Sequence, residues 1–295
     1  SGSTEAMFTS ILTVVNPGDE VLIPDPGYVS YERFVKLAEG VPIFYEIEYA
    51  PPRIDLEGLK EKITTRTKAI IINTPGNPMG NVLTKEELKA LSELCIDHNI
   101  IAISDEIYEK IVFDGRKNLS IGSFPGMEER TITINGFSKT YAMTGWRVGY
   151  IAAKGELAGQ INKVHSNVVL CANTIAQYAA LTALLSPQDC VKNMVKEYEE
   201  RRDIAVKKLN EVNNVHCSLP EGAFYLFPEI SRIERNSKSF VFKLLKEKKV
   251  ATIPGVAFGK RGEGHFRISL TRPKNELDEG VRKIKEFIKN YRVRG

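Results

Sequence analysis

No apolar run in this chain of 295 residues approaches the ~18 residues that a bilayer-spanning helix needs. Cysteine is sparse. Cys95, Cys171, Cys190 and Cys217 are scattered without a C-x-x-C pair, which argues against a zinc centre and against a secreted disulfide framework. An excess of one charge is also missing, because the net charge is only +4. The densest basic runs, LLKEKK and RKIKEFIKNYRVRG, alternate with apolar residues and read as solvated helix faces. No groove-reading motif accompanies them, so a nucleic-acid partner is not expected. Repeats and low-complexity segments are absent. The expectation is a soluble protein of a reducing, cytoplasmic setting, with no metal.

What is present is a chain long enough for two domains. Its first two-thirds repeats one rhythm of short β-branched run, Gly/Pro/Asn loop and helical stretch. EVLIPDPGY, KAIIINTPGNPMG, IIAISDE, RTITINGFSK and RVGYIAA read as strands, and TKEELKALSELCIDH reads as an amphipathic helix opened by a Thr84–Glu87 capping box. Continuous apolar strands alternating with helices predict a mostly parallel sheet covered on both faces, an α/β three-layer fold. From about Ser186 the texture changes to a long charged helix. Helix KSFVFKLLKEK, strands VATIPG and HFRISLT, and a last helix from about Asn275 follow it. This portion predicts a smaller α+β domain.

In such sheets ligands gather outside the carboxyl ends of the strands. The polar residues there are Asn77, Asp105, Tyr108, Lys139 and Arg147, with Arg267 in the second portion. A lysine in the small-residue loop NGFSKT suits a Schiff-base amine. Asp105, following an apolar strand, needs a cationic or N–H partner, and a protonated pyridine nitrogen would be one. Each residue also has an ordinary reading. Lys139 could be a solvated lysine, Asp105 a helix N-cap, Asn77 a turn residue, and the two arginines members of structural ion pairs.

Taken together, NTPGNPMG, SDEIYEKIVFDG, NGFSKTYAMTGWRVGY, GAFYLFP and FRISLT, in this order and spacing, strongly resemble the class I/II (fold type I) pyridoxal-phosphate aminotransferases. The resemblance covers essentially the whole chain. It implies a large cofactor-binding domain over 1–190 and a small C-terminal domain over 191–295 that includes the long connecting helix. Lys139 resembles the lysine that forms the Schiff base with the cofactor and shuttles a proton between the substrate α-carbon and C4′. Asp105 matches the partner of the pyridine nitrogen. Asn77 and Tyr108 match donors to the phenolic oxygen, and Tyr28 matches the ring stacked on the pyridine. Arg147, eight residues after the lysine, matches the phosphate-binding arginine, and Arg267 matches the arginine that takes the substrate α-carboxylate.

The opening GSTEA matches the family's phosphate cup, with Ser3 and Thr4 as contacts at a helix N-terminus. Members of the family begin well before this turn, so the resemblance implies a chain that lacks an N-terminal arm, a gating loop and a tyrosine reaching the neighbouring subunit. Gly136 stands where many members have a serine; that phosphate contact is either lost or supplied by Ser138 or Asn135. GVAFGKRGEG looks like a P-loop, but Pro254 occupies the first glycine's place and Arg261 follows Lys260. In the family reading this is a small-domain loop near the substrate. The resemblance implies a homodimer exchanging an amino group between an amino acid, aspartate or aromatic, and 2-oxoglutarate by a ping-pong route. The alternatives are a lyase on the same fold or an inactive truncated fragment. Thr4 stands where some aspartate-specific relatives have a lysine, which weakens the case for aspartate.

Overall fold

The computed structural model describes residues 1–291; residues 292–295, the end of the last basic run, lie outside the described residues. The chain begins with helix α1 (Ser3–Val14), strand β1 (Glu20–Asp25), α2 (Ser30–Leu37), β2 (Val41–Glu46), α3 (Leu56–Glu61), β3 (Thr67–Asn73) and α4 (Lys85–Asp97). It continues through β4 (Ile101–Asp105), β5 (Thr131–Gly136), the single-turn α5 (Phe137–Thr140), β6 (Gly149–Ala152), α6 (Gly155–Val168) and α7 (Thr174–Leu185). The last portion holds α8 (Asp189–Asn210), β7 (Tyr225–Leu226), α9 (Ser237–Lys248), β8 (Ile253–Pro254), β9 (Phe266–Ser269) and α10 (Lys274–Lys289).

Six strands form one sheet in the order β2-β1-β3-β4-β5-β6. The first five run parallel, and β6 runs antiparallel to β5. The continuous apolar strands follow from burial on both faces. Leu22, Ile70, Ile72 and Ala102 pack with Leu59 of α3 and Leu88 and Leu91 of α4. Their alternating neighbours Val21, Ile23, Ala69, Ile71 and Ile103 pack with α1, α2 and α6 through Ile11, Val35 and Ile161. Each such side chain contributes ~1.5–3 kcal/mol on burial. The result is the three-layer α/β fold.

Helix α4 starts where its capping box requires. The Glu87 N–H donates to Thr84 Oγ1 at 3.1 Å, and the Thr84 N–H donates to Glu87 Oε2 at 2.8 Å. The segment 137–148 between β5 and β6 holds the short α5 and one tight turn, and returns the chain antiparallel beside β5. Edge strand β2, with Pro42 and a half-exposed pattern, carries little periodic signal and is not predicted from the sequence. The two C-terminal strands are shorter than their apolar runs suggest.

A second core gathers α8, α9, α10, β7 and β9 around Phe240, Phe266, Val281 and Ile284. It takes in Ile107, Ile111 and Phe113 from the segment after β4, so this core is continuous with the floor beneath the sheet's carboxyl edge.

Candidate active site

The carboxyl ends of β3, β4 and β5 deliver Asn73, Asp105 and, one turn further, Lys139 to the same edge of the sheet. A cleft of about 200 Å³ opens there, and all ten residues singled out in the sequence line it: Ser3, Thr4, Tyr28, Asn77, Asp105, Tyr108, Ser138, Lys139, Arg147 and Arg267.

Asp105 ends β4 with its carboxylate buried. It caps no α-helix. It accepts a hydrogen bond from Tyr31 Oη at 2.7 Å and one from the Ile107 N–H at 3.2 Å. Burial pushes the Asp105 carboxyl above its ordinary value, against the opposing pull of the Tyr31 and Ile107 hydrogen bonds and the Lys139 charge. Lys139 is pushed the other way, first by burial and then by the positive charges of Arg267 and Arg147, so its amine gives up its proton more readily than a free lysine.

At the opposite end, Arg147 has a left-handed backbone (φ 52°) and donates only to carbonyls, those of Thr144 at 3.0 Å and Ser1 at 3.3 Å. Helix α1 starts beside it with Gly2 as an N-cap that offers no side-chain cap, leaving the first-turn N–H groups without intrahelical partners. Two glycines make this approach possible. A Cβ on Gly2 would lie 2.7 Å from Arg147 Nη2, and one on Gly149 would lie 2.7 Å from the Ser3 backbone nitrogen. Ser138 lines the same cleft, whereas the Asn135 side chain is turned to the Gly136 N–H at 2.7 Å. Free helix N–H groups, hydroxyls and a guanidinium with no carboxylate partner among the described residues make an oxyanion cradle.

Arg267 sits over the rings of Tyr225, 4.2 Å from its centroid, and Phe258, at 4.8 Å. Its Nη1 donates to Asn77 Oδ1 at 2.9 Å, and its buried Nε has no partner among the described residues. Tyr108 Oη pairs with Tyr225 Oη at 2.9 Å, and burial raises the Tyr108 phenol. Asn73 braces the floor, donating to the Asp105 carbonyl at 3.0 Å and accepting from the Asn77 N–H at 2.8 Å.

Seven further lining residues were missed by the sequence reading: Met7, Tyr31, Phe34, Asn73, Ile107, Thr144 and Tyr225; of these, Tyr31, Asn73 and Tyr225 hydrogen-bond to or pack on the predicted ones. Asn73 and Tyr225 lie inside quoted motifs, and Tyr31 follows Tyr28 by three residues. The loop 255–264 contributes no residue to the cleft lining itself but flanks it, with the Phe258 ring 4.8 Å from the Arg267 guanidinium. It also docks on β1: the Arg261 N–H lies 3.2 Å from Asp25 Oδ1, and a Cβ on Gly259 would lie 2.0 Å from the same oxygen.

A buried acid, a lysine with lowered basicity and two arginines facing open space share this one cleft. The family model for aminotransferase class I and II matches residues 1–284. The chain is 44% identical over 292 residues to a probable aspartate aminotransferase of Methanocaldococcus jannaschii, covering 97% of this chain and 76% of that protein. It is 41% identical to aromatic-amino-acid aminotransferase 2 of Thermococcus litoralis, covering 99% of this chain and 76% of that protein. The solved aromatic aminotransferase from Pyrococcus horikoshii superposes with a TM-score of 0.95 at 41% identity, over 98% of this chain and 78% of that one. The chain belongs to the class I and II aminotransferases. Its fold is that of the type I pyridoxal-phosphate enzymes, its reaction class is amino-group transfer, and the lyase alternative is not favoured.

Proposed function

We propose that this chain binds pyridoxal phosphate at Lys139 and moves an amino group between an aspartate-type or aromatic amino acid and 2-oxoglutarate by a ping-pong route. One observation carries the reading: a single cleft holds a lysine of lowered basicity, a buried carboxylate and an oxyanion cradle, one for each end of such a cofactor. The donor set fits the group. The approach of α1 to Arg147 leaves no room for a side chain at position 2 or 149. When bound, the cofactor supplies an electron sink for the bond broken at the substrate α-carbon.

The protein's own residues do the rest. Ser3, Thr4, Ser138, Arg147 and the start of α1 would hold the phosphate, and Tyr28 would stack on the ring. Asp105, fixed by Tyr31, would pair with the ring nitrogen and favour a proton there. Asn77 and Tyr108 would donate to the phenolic oxygen. Arg267 takes the α-carboxylate through its fork, and Lys139 Nζ, which sheds its proton readily, takes the proton from the substrate α-carbon.

Three further parts of the reading rest on composition and exposure. Residues 1–190 form the cofactor-binding unit and 191–295 the smaller one. Leu170, Ile175, Tyr178, Leu181 and Leu185 stand at least half exposed on and before α7; apolar side chains gathered on one exposed element suit an interface, and this supports a homodimer. All four cysteines are free thiols and among the described residues no helix is long and apolar enough to cross a membrane, which supports a cytoplasmic setting. The experiment is an absorbance titration with pyridoxal phosphate followed by an amino-transfer assay. Wild type develops the Schiff-base band and converts aspartate or phenylalanine with 2-oxoglutarate, and Lys139→Ala does neither. Formation of pyruvate and ammonia without an oxo acceptor would overturn the reading.

A further inference from the structure

Two walls of the cleft come from segments far apart in the chain. The loop 74–83 carries Asn77, and the stretch 220–227 carries Tyr225. They are fastened to each other at one point outside the cleft. The Glu221 carboxylate accepts from Arg53 Nη2 at 2.8 Å, Arg53 Nη1 at 3.0 Å and the Val82 N–H at 3.0 Å, with Arg116 Nη2 at 3.2 Å. The backbone continues the knot. The Glu221 and Gly222 N–H groups both donate to the Gly80 carbonyl at 2.8 Å, and the Phe113 N–H donates to the Glu221 carbonyl at 3.0 Å. Position 222 has no room for a side chain, since a Cβ there would lie 2.7 Å from the Ile111 carbonyl oxygen. Burial pushes the Glu221 carboxyl up, but Arg53, the Val82 N–H and Arg116 more than offset it, holding it below the usual range and ionised at neutral pH.

Arg267 is aimed by the two segments this knot joins. Its Nη1 is held by Asn77 Oδ1, and its guanidinium sits 4.2 Å from the Tyr225 ring, with Phe258 of the 255–264 loop at 4.8 Å as a further apolar wall. No other hydrogen bond to its guanidinium is made by a side chain of the described residues. Any slip of the Asn77 loop against the Tyr225 segment therefore turns the fork. We propose that Glu221 is a positioning residue of the transfer reaction: by tying Arg53, Val82 and Arg116 to its own segment, it holds Asn77 against Tyr225 and so aims Arg267 at the substrate α-carboxylate. The proposal rests on the reading of Arg267 given above.

The test uses the holoenzyme, with rates counted per cofactor-loaded site. Glu221→Gln keeps the side chain's size and one acceptor but loses the charge that gathers two arginines. It should raise KM about tenfold for both the amino donor and the oxo acceptor, with kcat within about threefold, the pattern of a mis-aimed binding group. The half-reaction with 2-phenylethylamine, which has no α-carboxylate, should proceed as in wild type. Added to Arg267→Ala, the substitution should cost little more, because both changes remove one interaction. Glu221→Asp should recover part of the loss. An equal loss with 2-phenylethylamine, or full additivity with Arg267→Ala, overturns the proposal and makes Glu221 a general stability residue. If Arg267→Ala raises KM and Glu221→Gln does not, only the role of Glu221 falls. If Arg267→Ala leaves KM unchanged, the assignment of Arg267 falls and takes this proposal with it. Should Glu221→Gln not fold, Arg53→Met must show the same KM pattern or the proposal fails.

Discussion

Gly149→Ala adds one methyl group at the seam between β6 and the start of α1. The new carbon would lie 2.7 Å from the Ser3 nitrogen, 2.9 Å from the Gly2 carbonyl carbon and 2.9 Å from the Asn135 carbonyl oxygen. All three are backbone atoms, so no side chain can swing away, and the first turn of α1 has to move off the sheet. Overpacking of this kind costs about 1–3 kcal/mol of stability. The larger consequence concerns the oxyanion cradle. A charge-assisted hydrogen bond contributes about 1.5–3 kcal/mol, so losing one of those donated by the α1 terminus weakens phosphate binding about 10–150-fold. Absorbance titration of the apoprotein with pyridoxal phosphate reads this directly. Pyridoxal, which has no phosphate, should bind Gly149→Ala and wild type alike. Gly159→Ala is the control, because Gly159 lies inside α6 with nothing within 4 Å of the added carbon. It should leave binding alone and raise stability by about 0.5–1 kcal/mol. Unchanged affinity for pyridoxal phosphate in Gly149→Ala would refute the cradle, and equal loss of both ligands would reduce the effect to misfolding.

Three more outcomes follow from named contacts. Burial raises the Asp105 carboxyl in the folded protein, so its contribution to apoprotein stability is present below the ordinary carboxylate value and is lost as pH rises through the raised one. Asp105→Asn should therefore melt above wild-type apoprotein at neutral pH while losing transfer activity, and the gap in melting temperature should close on acidification; a gap independent of pH would contradict this. Tyr31→Phe removes the 2.7 Å hydrogen bond to Asp105, which should cost about 1.5–3 kcal/mol in urea unfolding. That loss should shrink in an Asp105→Asn background, and strict additivity would show the two groups to be independent. Thr84→Ala breaks the capping box of α4 and should cost about 1 kcal/mol with KM and kcat unchanged; a kinetic defect would mean that α4 reaches the cleft.

The strands β1, β3, β4 and β5 were legible because burial on both faces demands unbroken apolar runs, and short β-branched runs such as KAIIIN and IIAIS suit a buried strand far better than a helix or a loop. The edge strand β2 was not, since half-exposure and a proline dilute the pattern, and the antiparallel direction of β6 beside β5 is not written in its own residues. The cleft divides in a similar way. Lys139, Asp105, Arg147 and Arg267 stand out because each is a charged group in or beside a strand or a small-residue loop, with no ion-pair partner among the described residues. Such residues face a ligand, and their chemistry is written locally. Tyr31, Tyr225 and Glu221 instead face other side chains. Tyr31 acts on a carboxylate from β4, Tyr225 carries an arginine from β9 and pairs with Tyr108, and Glu221 gathers Arg53, Val82 and Arg116. Nothing within ten residues of any of the three announces its partner. Their roles exist only once the sheet and the second core have brought distant segments into contact, so a residue that aims a catalytic group is read from packing, whereas the group it aims is read from sequence.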